Sequence, residues 1–573
     1  MHDDLQMMRQ LEMEKCLSDG QFPCRWVPDM GYGFGFPLFN YYPPLPYLVG
    51  ELIRFLGFSF METVKINFAL SLILSGFSMF FLAKEFFGKL GGIVSAIFYL
   101  WAPYRAVDIF VRGAMNESWS FVFFPLVFLF SYKIITDQKN KKGTYLIYLA
   151  LSFSGLLLSH NIMVMIFTPF FILWLILWFF IKRSWHIIPN LVSSAILSFG
   201  LAAFFTFPAF FEQDLVQIRS LTEDYYDFRG HFVSLNQLFI SRFWGYEGSY
   251  FGSDNDGMSF QIGHLHWIFS LFLAFLTGFK LFVLLIKYSK KFFSSLKKHP
   301  LFLTLLFFLF MGSFSAFMTH SKSIFIWEIF SPLRVVQFPW RFLTLVVFAF
   351  SFLAGSIFLF FGKLKQKFGF LAKFIFTSFE IFTFFLIAIL LVYLNWTFFR
   401  PKNAKLGLIS DKEKFSGVSW QLQQGGGVLD YLPNSVKVAP HAASGGLVDV
   451  LDGEANISKA EQGTYWVKFE ADVLSNESVI RINIFDFPNW RFWANGKEIE
   501  TFIPDYEEKG RIHVRVKNGR SLIYGQLFNT QIRTYANLFS FFSWTLLIGY
   551  LVFFKSLKRK FNLHAKNLQE NNC

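Results

Sequence analysis

Apolar residues fill long runs along most of this chain, separated by short polar loops, until the pattern changes near residue 395. A helix crosses a bilayer with about 20 apolar residues, or fewer where neighbours pack against it. Eleven runs fit: 66–83, 90–104, 118–135, 144–158, 162–181, 188–208, 265–286, 300–318, 341–361, 374–394 and 536–554. Runs 90–104 and 144–158 are short, and each also reads as a re-entrant or buried helix. From 395 to 535 the period becomes two. Residues 465–473 (YWVKFEADV), 479–485 (VIRINIF), 512–516 and 522–527 read as strands, with Asn495-Gly496 and Asn518-Gly519 as hairpin turns. The glycines at 425–427 and Gly445-Gly446 read as turns, since no strand-to-helix context supports a phosphate loop. The pattern predicts a polytopic α-helical membrane protein with an antiparallel β-sandwich before its last helix.

Composition agrees. Of 573 residues, 54% are hydrophobic and 16% charged, where a soluble domain carries about 25% charge. Aromatics make up 21%, with 84 Phe, and mean hydropathy is +0.41. Three cysteines exclude a disulfide scaffold and a Cys-rich zinc site. Cys16 and Cys24 share one loop, where a local disulfide is open to them, and Cys573 lies in the tail.

The net charge of +14 is a topology signal and needs no nucleic acid. Lys and Arg crowd the loops 84–89, 133–143, 182–187, 287–299 and 362–373 and the tail 555–573. The opposite short loops hold Arg105, Arg112, Lys322 and Arg334 alone. Positive loops stay cytoplasmic, so the alternation puts four pieces outside: 1–65, with an interfacial helix over 45–58, then 105–117, 209–264 and the sandwich segment 395–535. The helical domain is 66–394, the last helix 536–554, and 555–573 a basic cytoplasmic tail. Met1-His2-Asp3-Asp4 reads as the middle of a loop, so an N-in helix is expected ahead of it. A transporter keeps ionisable groups near the midplane; here Lys280 and Glu380, the main charges inside runs, lie toward cytoplasmic ends where they can snorkel.

The outer loops carry a resemblance. An acidic pair, a Gly further on and an aromatic stretch ending in Tyr-Pro-Pro-Leu-x-Tyr is similar to the first outer loop of GT-C fold glycosyltransferases. GQFPCRWVPDMGYGFGFPLFNYYPPLPY (20–47), APYRAVDIFVRGAMNES (102–118), LLSHN (157–161), FPAFFEQDLVQI (207–218), VVQFPWRFL (335–343) and FDFPNW (485–490) resemble the bacterial integral-membrane family labelled "6-pyruvoyl-tetrahydropterin synthase related". Nothing here resembles a soluble pterin enzyme with zinc-binding histidines.

That resemblance implies a GT-C-like architecture in the bacterial plasma membrane and sugar transfer from a polyprenyl-phosphate donor to a cell-envelope glycan, lipid or protein. It makes Asp3 the base or metal ligand and Asp4 its second, with a divalent metal left open. An acceptor hydroxyl needs a carboxylate to take its proton, and the leaving phosphate needs cations. Arg25 with Trp26, Arg112, and Arg341 after Pro339-Trp340 sit near the outer boundary, where Arg grips phosphate; each reads equally as an interfacial, snorkelling Arg. Glu117 reads as a second acid, a metal ligand or the partner of Arg112, and His160-Asn161 as a buried pair or a phosphate contact. Glu212, Asp214 and the run 223–228 are candidates for a sugar pocket, and three Asn-x-Ser sequons begin at Asn116, Asn456 and Asn476. Two alternatives stay open. One is a non-catalytic protein that binds or presents lipid-linked glycans, favoured because Gln6, Met7 and Met8 stand where the family places a further His. The other is a lipid or glycan transporter.

Overall fold

The computed structural model describes residues 2–137, 142–218, 222–252, 257–288, 291–359, 370–400 and 409–570. Loop cations Lys139, Lys141, Lys290, Lys363, Lys365 and Lys367, the end of run 341–361, and Cys573 lie outside the described residues. Nine helices among the described residues are long and apolar enough to cross a membrane. This differs from the eleven runs in two places. Run 144–158 forms the helix Lys142–Leu157, whose 16 residues fall short of a full crossing. Runs 66–83 and 90–104 share the element Phe60–Leu100, 41 residues long.

As one straight rod that element would reach about 60 Å, twice the hydrocarbon thickness. Instead it folds back at Gly88, whose φ of 76° a side chain would resist. A Cβ on Gly92 would lie 3.1 Å from the Phe80 carbonyl oxygen, and one on Gly76 2.9 Å from the Leu100 side chain. Residues that far apart cannot touch along one helix, so the element is an antiparallel hairpin.

The bundle core is built from rings, which accounts for the Phe content. Phe128 stacks on Trp174 at 5.0 Å, Phe124 on Phe167 at 4.7 Å and Phe308 on Phe352 at 3.9 Å. Small residues bring backbones together elsewhere. A Cβ on Gly91 would meet the Gly355 oxygen at 2.7 Å, and one on Gly355 the Gly91 oxygen at 2.4 Å. Backbone cannot swing aside, so Gly355→Ala is expected to destabilise the protein by about 1–3 kcal/mol, read as a lower melting temperature in detergent. Gly278→Ala, with nothing within 4 Å, is the control and should melt no lower than wild type.

Ahead of the bundle lies a helix absent from the sequence expectations, Gln6–Ser18. Its buried residues mix Gln6, Arg9, Gln10 and Glu12 with Met7, Met8, Met13 and Cys16, so no clean apolar stripe announces it. The helix Leu45–Phe55 buries Tyr47, Gly50 and Ile53 and leaves Leu52, Phe55 and Leu56 exposed. Cys16 and Cys24 form a disulfide.

The expected sandwich is one curled antiparallel sheet of seven strands. They are β1 (Val448–Asp452), β2 (Ala455–Gln462), β3 (Trp466–Phe485), β4 (Trp490–Ala494), β5 (Lys497–Ile499), β6 (Thr501–Phe502) and β7 (Arg511–Leu527). The predicted strands 465–473 and 479–485 are two halves of β3, and 512–516 and 522–527 two halves of β7. Buried positions run Val467, Phe469, Ala471, Val473, then Ile480, Ile482, Ile484, changing parity where the β3–β7 register shifts after Val473. That bulge bends both strands and curls the sheet over its own core, which a second sheet would otherwise cover. β2 pairs with the first half of β3 and β1 with the second.

Asn495-Gly496 is the β4–β5 turn, with φ of 48° and 81°, the conformation a two-residue hairpin loop needs. Asn518-Gly519 is no turn. It lies at the bulge inside β7, where the Asn518 amide donates to the Val473, Leu474 and Ser475 carbonyls. The open side of the sheet rests on the first loop: Phe34 stacks on Phe485 at 5.3 Å, and Trp26 packs against Phe487 and Trp490. The FDFPNW and GYGFGF stretches are therefore packing partners.

Candidate functional site

The loop between the hairpin and the helix Met115–Thr136 is itself helical. Pro103–Ala106 leads into a π-helical turn, Val107–Arg112, ended by Gly113 in the left-handed region. π turns are rare and frequent at functional sites. This one brings Arg112 against Glu117, with Nη1 donating to Glu117 Oε2 at 2.7 Å, Tyr104 Oη at 3.0 Å and Asp108 Oδ1 at 3.1 Å. Tyr104 donates to Glu117 Oε1 at 2.7 Å, and Arg112 lies over the Trp340 ring at 4.6 Å. Arg105, fully buried, donates to Ser75 and lies 3.9 Å from Asp108. Burial, then neighbouring Glu117, pushes the Asp108 carboxyl well above its usual range.

The N-terminal segment is pinned to this turn: the His2 and Asp3 amides donate to the Val111 and Arg112 carbonyls, both at 2.9 Å. Asp3 Oδ2 accepts from Arg9 Nη1 at 2.7 Å and Gln6 Nε2 at 2.9 Å, and Gln6 also donates to the Gly113 carbonyl. Arg9 lies over the Tyr42 ring at 4.3 Å. Asp4 turns outward, paired with Lys414, and takes no part.

Around Asp3 the walls close. Tyr42, His160, Tyr226, Arg341 and Asp430 each keep part of their surface exposed yet are mostly enclosed by protein and feel one another's charge in an unbroken chain. Side chains lining a recess have that combination. Arg341 Nη1 donates to the Val336 carbonyl and Gln337 Oε1, both at 2.8 Å. Gln337 is held at φ 66°, a strained position of the kind kept at ligand sites. Arg341 Nε is buried and unbonded, and among the described residues Arg341 has no acidic partner within ion-pair reach.

Burial, then Arg341, lowers the His160 pKa to about 3, so the ring is neutral. Its Nδ1 accepts from the Ile162 amide at 3.2 Å, which assigns the proton to Nε2 and leaves a donor at the recess. Asp430 comes from the turn after the helix Gly417–Gly425, and its carboxylate has no hydrogen bond or ion pair among the described residues.

Arg25 and Trp26 do not join this group. Arg25 is buried and donates to Asn40, Asn537 and the Phe204 carbonyl. It belongs to a second cluster in which Glu212 accepts from Arg533 Nε at 2.7 Å, from Asn40 at 3.1 Å and from Thr530. Burial, then Arg533, lowers the Arg25 pKa to about 9. Trp26 is core under the sheet. Glu212 is thus structural, Asp214 is exposed, and of the run 223–228 Tyr226 reaches the recess. Asn161 donates to the Tyr41 carbonyl. Among the described residues no three His, Cys, Asp or Glu side chains gather as a metal site would require. Tyr42 and Asp430 escaped the sequence reading because each acquires meaning only from distant neighbours, and Arg9 because the helix that turns it toward Asp3 was not expected.

An uncharacterized protein of Lactococcus lactis subsp. cremoris (strain MG1363) is 27% identical over 206 residues, which cover 34% of this chain and 32% of that protein. The family model of the 6-pyruvoyl-tetrahydropterin synthase related domain, a membrane protein, matches residues 39–394. The match takes in Arg112, Glu117, His160, Tyr226 and Arg341, and the chain belongs to this membrane-protein family.

Proposed function

We propose that the chain is a GT-C-type glycosyltransferase of the bacterial plasma membrane, moving a sugar from a polyprenyl-phosphate donor to a cell-envelope acceptor on the outer face. The observation that carries this reading is Arg341, an enclosed guanidinium that forms no ion pair among the described residues and whose Nε is unbonded. A charge kept in that state awaits an anion. Arg112 and the Nε2 donor of His160 stand beside it, and the donor's phosphate is an anion that arrives at this depth. Asp3 and Asp430 lie in the same recess, where a carboxylate can take the acceptor's proton. The reading takes the hairpin arms as separate crossings and the short Lys142–Leu157 as a further one, which would leave the first loop and the sheet on one side, the outer; the Cys16–Cys24 disulfide suits an oxidising compartment there.

The test uses the full chain in liposomes with radiolabelled polyprenyl-phosphate hexoses and pentoses, and cell-wall extract as acceptor. Label should pass to the extract. In parallel, Arg341→Gln should weaken polyprenyl-phosphate binding about tenfold or more, since charge-assisted hydrogen bonds are worth about 1.5–3 kcal/mol, and Arg341→Lys should fall between. Binding by Arg341→Gln equal to wild type removes the anion receptor and the reading with it. Binding without turnover identifies instead a protein that presents lipid-linked glycans.

A further inference from the structure

We propose that Asp430 is the group that removes the acceptor's proton, while Asp3 is committed to holding Arg9; this rests on the transferase reading above. The carboxylates near the recess divide by how they are engaged. Glu117 accepts from Arg112 and Tyr104, Asp108 accepts from Arg112, and Asp3 accepts from Arg9 and Gln6. These carboxylates already accept from protein donors, and Glu117 and Asp108 are in addition fully buried. Asp430 has no such bond among the described residues, is half-buried, and lies close enough to Asp3 and Arg9 to feel their charge.

Its position is set by the glycine turn before it. A Cβ on Gly425 would lie 2.4 Å from the Tyr32 ring, and one on Gly426 2.5 Å from Leu5. The turn therefore packs on Tyr32 of the first loop and on Leu5, two residues after Asp3, and so holds Asp430 near the Asp3 segment. The groups that face Asp430 are Asp3, Arg9, Tyr42, Tyr226 and Tyr431. Burial raises its carboxyl to about 6, so it is ionised at neutral pH and more basic than an exposed Asp.

The step balances. The acceptor oxygen forms a bond to the anomeric carbon, and its proton passes to an Asp430 carboxylate oxygen. The bond from that carbon to the donor's phosphate oxygen breaks, and its electron pair leaves with the polyprenyl phosphate, received by Arg341 and Arg112. The products are the glycosylated acceptor and polyprenyl phosphate.

The experiment uses the full chain in the same liposomes with the labelled donors and cell-wall extract. Asp430→Asn should retain its melting temperature and polyprenyl-phosphate binding and lose transfer about 10²–10⁴-fold, the range for removal of a general base. Asp430→Glu should restore part of it. Wild-type rate should rise with pH through about 6, and the Asn variant's residual rate should lack that limb. Transfer by Asp430→Asn within about threefold of an active wild type, or an unchanged pH limb, overturns the role of Asp430 and leaves the transferase reading standing. A wild type that releases no sugar from any donor overturns the transferase reading and this role together.

Discussion

Glu212→Gln is expected to cost about 3–5 kcal/mol of stability, because removing one partner of a buried ion pair strands the other's charge. Here it strands two. Arg533 is 1% exposed and Arg25 6%, and Glu212 is the carboxylate that offsets both. The amide keeps the shape and one acceptor, so lost packing cannot explain the effect. Three parts of the chain converge there: the first loop through Arg25 and Asn40, the end of Ile188–Phe211 through Phe204 and Glu212, and the start of the last helix through Thr530, Arg533 and Asn537. The variant should therefore melt far below wild type in detergent, with proteolysis appearing first in the first loop. Arg25→Met, which removes one cation and leaves Glu212–Arg533 intact, should cost distinctly less. Equal melting of Glu212→Gln and wild type would mean that the cluster is hydrated and carries little energy.

Asp3→Asn is expected to lower transfer about 10–10²-fold by loss of a positioned charge pair and stability by about 1–3 kcal/mol through its hydrogen bond to charged Arg9. Arg9 is 5% exposed, and despite burial the Asp3 carboxylate holds it above its ordinary range. Without that anion Arg9 is free to pair with Asp430. The variant should therefore keep a rising pH limb, displaced to lower pH because a cation drawn to Asp430 favours its ionised form. Asp430→Asn should lack the limb. Double substitution should cost less than the sum, since both residues act through Arg9. Sugar transfer by Asp3→Asn at the wild-type rate would remove Asp3 from the site.

Hydropathy made nine helices legible, because a continuous apolar run has few other uses at that length. It could not see that the arms of Phe60–Leu100 join without leaving helical conformation apart from Gly88. Alternation likewise identified β3 and β7 but broke each in half, since a bulge reverses which residues face inward, and it left the shorter strands β1, β2, β4, β5 and β6 unread. Arg112 and Glu117 were readable as a pair because five positions on a bent helical turn leave few other partners. Arg25 was not, because an Arg beside aromatics at a membrane boundary looks the same whether it meets a phosphate or a buried Glu212. Asp430 gave no signal at all. It follows a glycine turn in a polar stretch, and its importance lies wholly in a neighbour from the other end of the chain.

The segment before the sheet closes over the first loop at several points. Asp411 accepts from the Phe60 and Met61 amides, Lys414 pairs with Asp4, and the Tyr32 amide donates to the Gln424 carbonyl. A chain emerges from the ribosome N-terminus first, so Asp3 and its partners Arg9 and Gln6 are made early. Asp430 follows only after Phe370–Asn395 has crossed. The recess is therefore closed late in synthesis, by a latch thrown from the C-terminal side, and a nascent chain stalled before that point would hold Arg112 and Arg341 without Asp430.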